Sequence, residues 1–475
     1  MKKLAVLAVA SEIYPLIKTG GLADVVGALP GALKAEGVAV TTLVPGYPAV
    51  LAAMAGANAV LEIADLFGGP ARVLRGRACE LDILGLVAPH LYERPGNPYL
   101  GPDGQDWPDN AQRFAGLAAI AASIARGAIK TYRPAVVHAH DWQAGLTAAY
   151  LEYGDANPIP TVMTVHNLAF QGQFPATLLG ELGLPPSSFR YDGIAHHGMI
   201  GYLKAGLQFS SRVTTVSPTY AREIRTEKGG MGMDGLLRFR GDAVSGLLNG
   251  IDTDVWNPAT DMHLAQRYDA GSLKARAANK TALQHRFGLT PNPKAPLFGV
   301  VSRLSWQKGL DLLLETLPVL RDHGAQLAML GAGEPALEAG FREAAAAHPS
   351  QIGFLIGYDE MLAHQIQGGV DALVIPSRFE PCGLTQLCAL RYGAVPVVSH
   401  VGGLADTIQD GVTGVVFDEL TSKGLGEALV RIVGLYRKPR IFRSLVTNGM
   451  ARDVSWREPA RQYASLYRAL ASTKP

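Results

Sequence analysis

Three basic residues of this sequence lie beside glycine-rich segments in a way that suits a bound phosphate. Lys18 comes just before Gly20 and Gly21, and Arg303 and Lys308 lie in the segment SRLSWQKG. A helix N-terminus offers N–H groups and partial positive charge, and glycine lets a ligand approach the backbone. Cations placed there would stabilise the negative charge of a diphosphate leaving group. Taken singly, the glycines of each segment could instead form a tight turn, and each cation could form a surface ion pair.

Acidic and imidazole side chains follow three predicted strands. Glu380 follows the apolar run DALVIPSRF, Asp141 lies in HAHDW, and His166 lies in TVHN. The carboxylate of Glu380 could accept hydrogen bonds from a sugar, or it could simply favour the dipole of the helix that follows. The HAHDW and TVHN segments are compatible with sugar binding, with hydrogen-bonded core histidines or with a metal site.

A metal-dependent chemistry has weak support in the sequence. Asp252-Thr253-Asp254 has the DxD form that holds a divalent ion in some sugar-nucleotide enzymes, but it lies at a predicted turn, where Asp commonly bonds its own backbone. The three cysteines, Cys79, Cys382 and Cys388, match no zinc spacing and are too few for a disulfide scaffold. We therefore expect no metal and a reducing compartment.

The elements that must position these residues form two α/β halves. Apolar strands at 135–140, 161–166 and 213–217, together with a βαβ unit that starts near residue 2 and has its helix over 22–36, predict a first parallel sheet. The alternation restarts at LFGVVSR and continues with AQLAMLGAG, QIGFLIGY, DALVIPS, AVPVVSH and TGVVFD, which predicts a second doubly wound sheet. The fold class is therefore α/β, and ligands are expected beyond the carboxyl ends of the strands.

The domain boundaries follow from the same alternation. We expect an amino-terminal Rossmann-like domain over residues 1–243 and a second one over 244–456, with a helix in 457–475 that could return to the first domain. The segment GGLAD occurs twice, at 20–24 and 402–406, each time after an apolar strand and at a helix start. Two similar lobes would explain the repetition, and so would convergence on the same helix-start chemistry.

Composition excludes several classes of protein. The 475 residues include 43 Lys and Arg against 41 Asp and Glu, a net charge of +2, so the basic excess typical of nucleic-acid binding is missing. No run reaches the ~18 apolar residues of a membrane span. The start MKKLAVLAVAS imitates a short signal peptide, but a buried parallel strand explains it equally and more simply. We expect a cytoplasmic protein with neither nucleic acid nor membrane as a partner.

A set of motifs, in this order along nearly the whole chain, resembles the ADP-glucose-type bacterial glycogen synthases and the related plant starch synthases. The motifs are KTGGLADVVGALP, NPYL with DWPDNAQRF, HAHDW, TVHN, KAGLQFS, TTVSPTYAREI, LLNGIDTDVWNP, SRLSWQKGLD and EPCGLTQL. The resemblance implies a GT-B fold, in which two Rossmann-like domains face a central cleft. It also implies retaining transfer of glucose from ADP-glucose to the non-reducing 4-hydroxyl of an α-1,4-glucan, without a metal or another cofactor.

The resemblance also implies roles for individual residues. The catalytic set is Glu380, His166, Asp141, Lys18, Arg303 and Lys308. The ADP-glucose contacts are Lys18, Gly20, Gly21, Asn249, Arg303, Lys308, Tyr358, Leu384 and Thr385. Tyr358 would stack on adenine, and Leu384 and Thr385 would offer backbone N–H groups to phosphate. The acceptor glucan would contact Tyr99 and Asp24.

One position departs from the wider group of retaining GT-B transferases. A second glutamate there follows the first by eight residues, whereas this chain has Cys388 at that position. The resemblance therefore favours same-face attack, in which the leaving phosphate helps to deprotonate the acceptor hydroxyl. The alternatives are a non-catalytic protein that binds glucan or sugar nucleotide, and another GT-B enzyme such as an epimerase or a phosphorylase.

Overall fold

A computed structural model describes residues 3–154 and 159–472 of the chain. Contacts between Cα atoms divide the chain into two compact units. Unit 1 comprises residues 1–249 and 456–475, and unit 2 comprises residues 250–455.

Unit 1 is built on a large, mostly parallel sheet. Its strands are β1 (Leu4–Val9), β2 (Val38–Pro45), β3 (Asn58–Ile63), β4 (Ala71–Ala78), β5 (Leu81–Val87), β6 (Val136–His140), β7 (Thr161–Val165), β8 (Gln173–Pro175), β9 (Ala195–His196), β10 (Met199–Gly201), β11 (Arg212–Thr215) and β12 (Val244–Gly246). The main sheet has the order β12-β11-β7-β6-β1-β2-β5-β4-β3, whereas β8, β10 and β9 form a small antiparallel sheet. The pairs from β12 to β5 are parallel, and β5, β4 and β3 pair antiparallel at one edge.

Unit 1 also contains helices, several of which pack on the main sheet and bury its central strands. They are α1 (Gly21–Ala35), α2 (Pro48–Ala53), α3 (Pro89–Tyr92), α4 (Asn110–Ala125), α5 (Asp141–Glu152), α6 (Tyr202–Phe209), α7 (Pro218–Glu223) and α8 (Asp234–Phe239). Strands β6 and β7 are buried over their whole length. The carboxyl ends of β1, β6 and β7 are therefore neighbours at one edge of a rigid sheet.

Unit 2 has a six-stranded sheet that is parallel throughout. Its strands are β13 (Leu297–Val301), β14 (Gln326–Gly331), β15 (Ile352–Ile356), β16 (Ala372–Ile375), β17 (Val395–Ser399) and β18 (Val415–Phe417), in the order β15-β14-β13-β16-β17-β18. Its helices are α9 (Arg276–Arg286), α10 (Leu310–Asp322), α11 (Pro335–Ala347), α12 (Glu360–Gly369), α13 (Thr385–Tyr392), α14 (Gly402–Thr407), α15 (Ser422–Tyr436) and α16 (Pro439–Met450). The strand order reverses at β13, between β14 and β16, which is where doubly wound sheets bind ligands.

A last helix, α17 (Arg457–Ser472), belongs to unit 1 although the chain reaches it after unit 2. Tyr463, Ala464 and Tyr467 of α17 are buried against a cluster that includes Val6 and Val136. The boundary predicted after residue 243 differs from the contact division, because β12 pairs with β11 and so lies in the first sheet.

The predicted parallel strands and the helix over 22–36 are confirmed within one or two residues. The prediction that the first sheet is parallel was incomplete, since β3, β4 and β5 form an antiparallel meander that the sequence analysis did not identify. Within the described part of the chain, no helix is long and apolar enough to cross a membrane.

Candidate functional site

In unit 1, the segments that follow β1, β6 and β7 carry Lys18, Asp141 and His166. Strand β1 pairs with β6, and β6 pairs with β7, so the three segments start from adjacent positions on one edge of the sheet. The parallel topology therefore places the segments that carry these residues beside one another, at the carboxyl ends of neighbouring strands.

Asp141 is held in a strained, buried position at the start of α5. Its φ is +54°, a left-handed conformation that is uncommon for a residue other than glycine. Its Oδ1 accepts the backbone N–H of His166 at 2.7 Å. Burial raises the pKa of Asp141 to about 7, although N–H groups of His166 and Asn167 oppose the shift, and the nearby charge of Glu12 raises the pKa further. Strain and a displaced pKa in one residue are typical of functional sites.

An Asp141→Asn variant is expected to unfold at a higher temperature than the unaltered protein, with a gain that grows from about pH 4 to pH 7 and is constant above. The folded state keeps the Asp141 proton up to about pH 7. The unfolded state releases it near ~4, so rising pH destabilises the fold in that window. Thermal unfolding of both proteins at pH 4, 5, 6, 7 and 8 measures the difference. A gain that does not depend on pH would contradict the assignment.

His166 forms a pair with His140 of β6. Nδ1 of His140 lies 3.0 Å from Nε2 of His166, so one ring donates its N–H to the other. Desolvation lowers the pKa of His166 to about 3, and desolvation together with the neighbouring imidazoles lowers that of His140 well below its usual value. Both rings are therefore neutral at physiological pH, and His166 is suited to hydrogen bonding rather than to carrying charge.

Lys18 lies in the loop between β1 and α1. Its Nζ donates to Oδ1 of Asp24 at 2.7 Å, and it lies 5.0 Å from the centre of the Tyr14 ring. A Cβ atom added at Gly20 would meet no protein atom within 4 Å, so the surrounding fold does not itself require a glycine there. The space over Gly20 is open, and the approach of a ligand to this turn stays a prediction.

The structure reveals a buried carboxylate, Glu12, that the sequence analysis missed. Glu12 is 2% exposed and accepts hydrogen bonds from the backbone and hydroxyl of Thr19 and from the hydroxyl of Tyr99. Glu12 thus ties the glycine-rich loop to the segment that carries Tyr99, 87 residues away. Burial and the charge of Glu12 raise the pKa of Tyr99 well above its usual value, so its hydroxyl keeps its proton. Its position after a buried strand, which is also the position of Glu380, could have identified Glu12 in the sequence.

Asn249 is placed in unit 1 by its contacts, just after β12. Its side chain is 8% exposed, and its buried Oδ1 has no hydrogen-bond partner among residues 3–154 and 159–472. An unsatisfied buried acceptor is costly unless a ligand or water supplies the donor. Asn249 is therefore well suited to accept a hydrogen bond from a bound molecule.

In unit 2, Lys308 and Glu380 form one tightly packed ion pair. Nζ of Lys308 donates to Oε2 of Glu380 at 2.6 Å, and the hydroxyl of Ser377 donates to the same oxygen at 2.9 Å. Glu380 is 6% exposed. Lys308 follows β13, and both Ser377 and Glu380 follow the adjacent strand β16. The pair therefore lies at the reversal point of the sheet, with a carboxylate oriented by a cation and a hydroxyl.

Two glycines allow the backbone to pack closely around this pair. Gly309 has φ +65°, and a Cβ there would come within 2.0 Å of the Pro376 carbonyl oxygen. A Cβ at Gly403 would come within 2.2 Å of the Cys382 carbonyl oxygen, and the Gly403 N–H donates to the Glu380 carbonyl at 3.0 Å. The second GGLAD segment thus supports the Glu380 backbone, whereas Gly20 of the first borders open space.

The remaining predicted residues of unit 2 lie on nearby segments. Arg303 is exposed after β13, and Leu384 and Thr385 lie at the start of α13. Tyr358 follows β15 with 74% of its surface exposed, and its hydroxyl donates to Glu360 at 2.8 Å. This position at the carboxyl edge of a parallel sheet is the one at which such sheets bind ligands.

The DxD segment has a local role. Oδ1 of Asp252 accepts the backbone N–H groups of Asp254 and Val255 at 2.9 and 3.3 Å, as in an Asx turn. Among the described residues, no group of three or more His, Cys, Asp and Glu side chains is arranged to hold a metal ion.

The structure therefore groups the predicted residues into clusters within each unit. Unit 1 holds Asp141 with His166, and Lys18 with Asp24. Unit 2 holds Lys308 with Glu380. Such groups can orient hydroxyls of a sugar and neutralise an anionic leaving group.

Comparisons with known proteins identify relatives of both units. The family described as "Starch synthase catalytic domain" matches residues 5–239, and the family described as "Glycosyl transferases group 1" matches residues 282–443. A glycogen synthase of Rhodopseudomonas palustris (strain BisA53) is 61% identical over 483 residues, with 100% of this chain and 99% of that protein covered. A glycogen synthase of Acidiphilium cryptum (strain JF-5) is 60% identical over 479 residues, with 99% of this chain and 100% of that protein covered.

The comparison with solved structures also finds a starch synthase. The catalytic domain of starch synthase IV from Arabidopsis thaliana, bound to ADP and acarbose, is 32% identical with a TM-score of 0.88 and covers 99% of this chain and 100% of that one. A sucrose-phosphate synthase from Thermosynechococcus elongatus has a TM-score of 0.61 over 99% of this chain and 100% of that one. At 17% identity, this second likeness is one of fold alone.

Proposed function

This chain belongs to the glycogen and starch synthase family of glycosyltransferases, whose fold is GT-B, and we propose that it extends α-1,4-glucan with glucose from ADP-glucose. The family uses a sugar-nucleotide donor and a glucan acceptor. The observation that carries the proposal is the Lys308–Glu380 pair at the reversal point of the second sheet, in a chain that matches glycogen synthases over its full length.

Unit 2 is proposed to bind the ADP portion of the donor. Arg303 and Lys308 neutralise phosphate charge, and Leu384 and Thr385 offer the N–H groups of the first turn of α13. Tyr358 stacks on the adenine ring. The starch synthase structure with bound ADP supports this assignment, because it aligns with nearly the whole chain.

The glucose portion is proposed to contact the residues that the family resemblance assigns to the donor. Glu380 places a fixed negative charge near the donor sugar, where positive charge develops as the bond to phosphate breaks. Lys18, Gly20 and Gly21 lie near the diphosphate, and Asn249 accepts a hydrogen bond from the donor.

The acceptor glucan is proposed to contact Tyr99, and its reacting end to lie near Asp141 and His166. Asp24 is the second proposed acceptor contact. It also pairs with Lys18 at 2.7 Å, so it acts in addition as a partner of the lysine. The protonated hydroxyl of Tyr99 is held by Glu12, which gives the acceptor a fixed polar surface.

The proposed chemistry is same-face transfer. The bond from glucose C1 to the phosphate oxygen breaks, the acceptor O4 bonds to C1 from the same side, and the O4 proton passes to the leaving phosphate. A double displacement through a second carboxylate has no support at the family position, because that position is Cys388. The proposed scheme assigns no residue to a metal ion. The cytoplasm remains the proposed location, on the low cysteine content alone.

The test is incorporation of labelled glucose into glycogen from ADP-glucose and, separately, from UDP-glucose, each with and without EDTA. We expect incorporation from ADP-glucose that exceeds incorporation from UDP-glucose and that resists the chelator. Preference for UDP-glucose would overturn the donor assignment, and loss with EDTA would overturn metal independence. A protein that binds glucan but transfers glucose from neither donor would be the non-catalytic alternative.

A further inference from the structure

The helix α17 inserts two tyrosine rings into the core of unit 1, beneath the histidines at the carboxyl end of β6. Tyr463 and Tyr467 are both almost fully buried, and their ring centres lie 5.5 and 5.7 Å from that of His138. The two tyrosines differ in the surroundings of their hydroxyl groups. The hydroxyl of Tyr467 lies 2.7 Å from Nδ1 of His138, within hydrogen-bond distance.

His138 is bonded on both sides of its ring. Nε2 of His138 lies 2.5 Å from Oγ1 of Thr164, which in turn lies 2.6 Å from Oγ1 of Thr214. Burial lowers the pKa of His138 to about 3, so the ring is neutral and has one N–H and one acceptor nitrogen. Two hydroxyl partners on opposite sides therefore fix the plane of the ring, whichever of its nitrogens carries the proton.

The ring of His138 lies against His140, the hydrogen-bond partner of His166. The centres of the His138 and His140 rings are 4.0 Å apart, and His140 is within hydrogen-bond distance of His166. Tyr467 of α17 is hydrogen-bonded to His138, the ring of His138 contacts that of His140, and His140 is hydrogen-bonded to His166. Interiors packed at crystal density pass small displacements along such contacts.

We infer that Tyr467 is a positioning residue for glucosyl transfer, which sets the orientation of His166 through the rings of His138 and His140. This role rests on the proposed function, in which His166 lies at the reacting end. It explains why a helix that follows unit 2 in the chain carries a buried polar group to the core of unit 1. Packing alone would be served by phenylalanine, since both rings belong to one buried apolar cluster.

The matched test compares Tyr467→Phe with Tyr463→Phe. Each variant removes one buried hydroxyl from the same face of the same helix, but only the first removes the partner of His138 Nδ1. We expect Tyr467→Phe to lower kcat about tenfold or more, because small misplacements of reacting groups are costly. The KM for ADP-glucose should stay within about twofold, since most of the residues proposed to bind ADP are in unit 2 and none of them belongs to the path from Tyr467 to His166. Tyr463→Phe should keep kcat within about threefold of the unaltered protein. Equal losses of kcat in the two variants would overturn the inference.

A spectroscopic readout separates positioning from general loosening. Long-range ¹H–¹⁵N spectra of histidine-labelled protein report the tautomer and hydrogen bonding of each ring. Tyr467→Phe is expected to shift the ring nitrogens of His138 and His166, whereas Tyr463→Phe is expected to leave those of His166 in place. Unchanged His166 resonances in Tyr467→Phe would overturn the inference. This arm gives its result even if the unaltered protein transfers no glucose, an outcome that would refute the proposed function separately.

A variant outside α17 tests the role of His138 without altering the packing of this helix. Thr164→Val removes the other hydrogen bond of His138 and leaves the helix untouched. We expect it to lower kcat and shift the His166 nitrogens as Tyr467→Phe does. Normal turnover and normal resonances in Thr164→Val would show that His138 does not position His166.

Discussion

A Glu380→Gln variant is expected to lose at least ~100-fold in kcat, with little change in the KM for ADP-glucose. The glutamine keeps the size of the side chain and removes the charge that Lys308 and Ser377 orient. An oriented charge in a site shielded from water contributes most where opposite charge develops, which here is the transferring glucosyl group. The loss should therefore affect kcat rather than donor affinity.

The measurement is steady-state incorporation of labelled glucose at varied ADP-glucose and saturating glycogen. Glu427→Gln is the control, because Glu427 is an exposed carboxylate of unit 2 that lies 3.9 Å from Lys423. The control is expected to keep the full rate. A rate within about threefold of normal in Glu380→Gln would remove Glu380 from the catalytic set.

A Lys308→Gln variant is expected to lose ~100-fold or more in kcat/KM for ADP-glucose, with both parameters affected. The ammonium has two tasks in the proposed site, since it neutralises the leaving phosphate and pairs with Glu380. Its removal leaves a buried carboxylate without its cation, which costs more than the loss of an exposed pair. The donor should therefore bind more weakly and react more slowly.

The double variant Lys308→Gln with Glu380→Gln distinguishes coupled from independent action. Because the two groups share one hydrogen bond, we expect the double variant to lose far less than the product of the single losses. The control is the same set of single and double variants at an exposed ion pair, with Lys423 and Glu427 each replaced by glutamine. This exposed pair should show no measurable coupling. If the double variant at Lys308 and Glu380 instead loses as much as the product of the two single losses, the two residues act independently.

The sheets and the residues at their carboxyl ends were largely predictable from the sequence. Buried parallel strands read as continuous apolar runs, so β6, β7, β13 and β16 could be located, and with them Asp141, His166 and Glu380. The antiparallel meander of β3 to β5 was not found, because half-exposed strands such as β3 carry a weaker pattern.

The partners within the site could not be predicted in the same way. The Glu12–Tyr99 hydrogen bond joins residues 87 apart, and the Lys308–Glu380 pair joins residues 72 apart. No local spacing encodes either pair, since each depends on the order of strands in the sheet. The link between His138 and Tyr467 spans 329 residues and depends on α17 returning to the first sheet.

The return of α17 has a consequence for synthesis of the chain. Residues 457–472 leave the ribosome after all of unit 2, yet they cover an apolar face that includes Val6, Val136 and Val162. Throughout translation of the second sheet, that face of the nascent first sheet therefore meets solvent or a chaperone. A chain released early, before Tyr467, would keep the face exposed, and aggregation rather than a partly active enzyme is the expected fate of such a product.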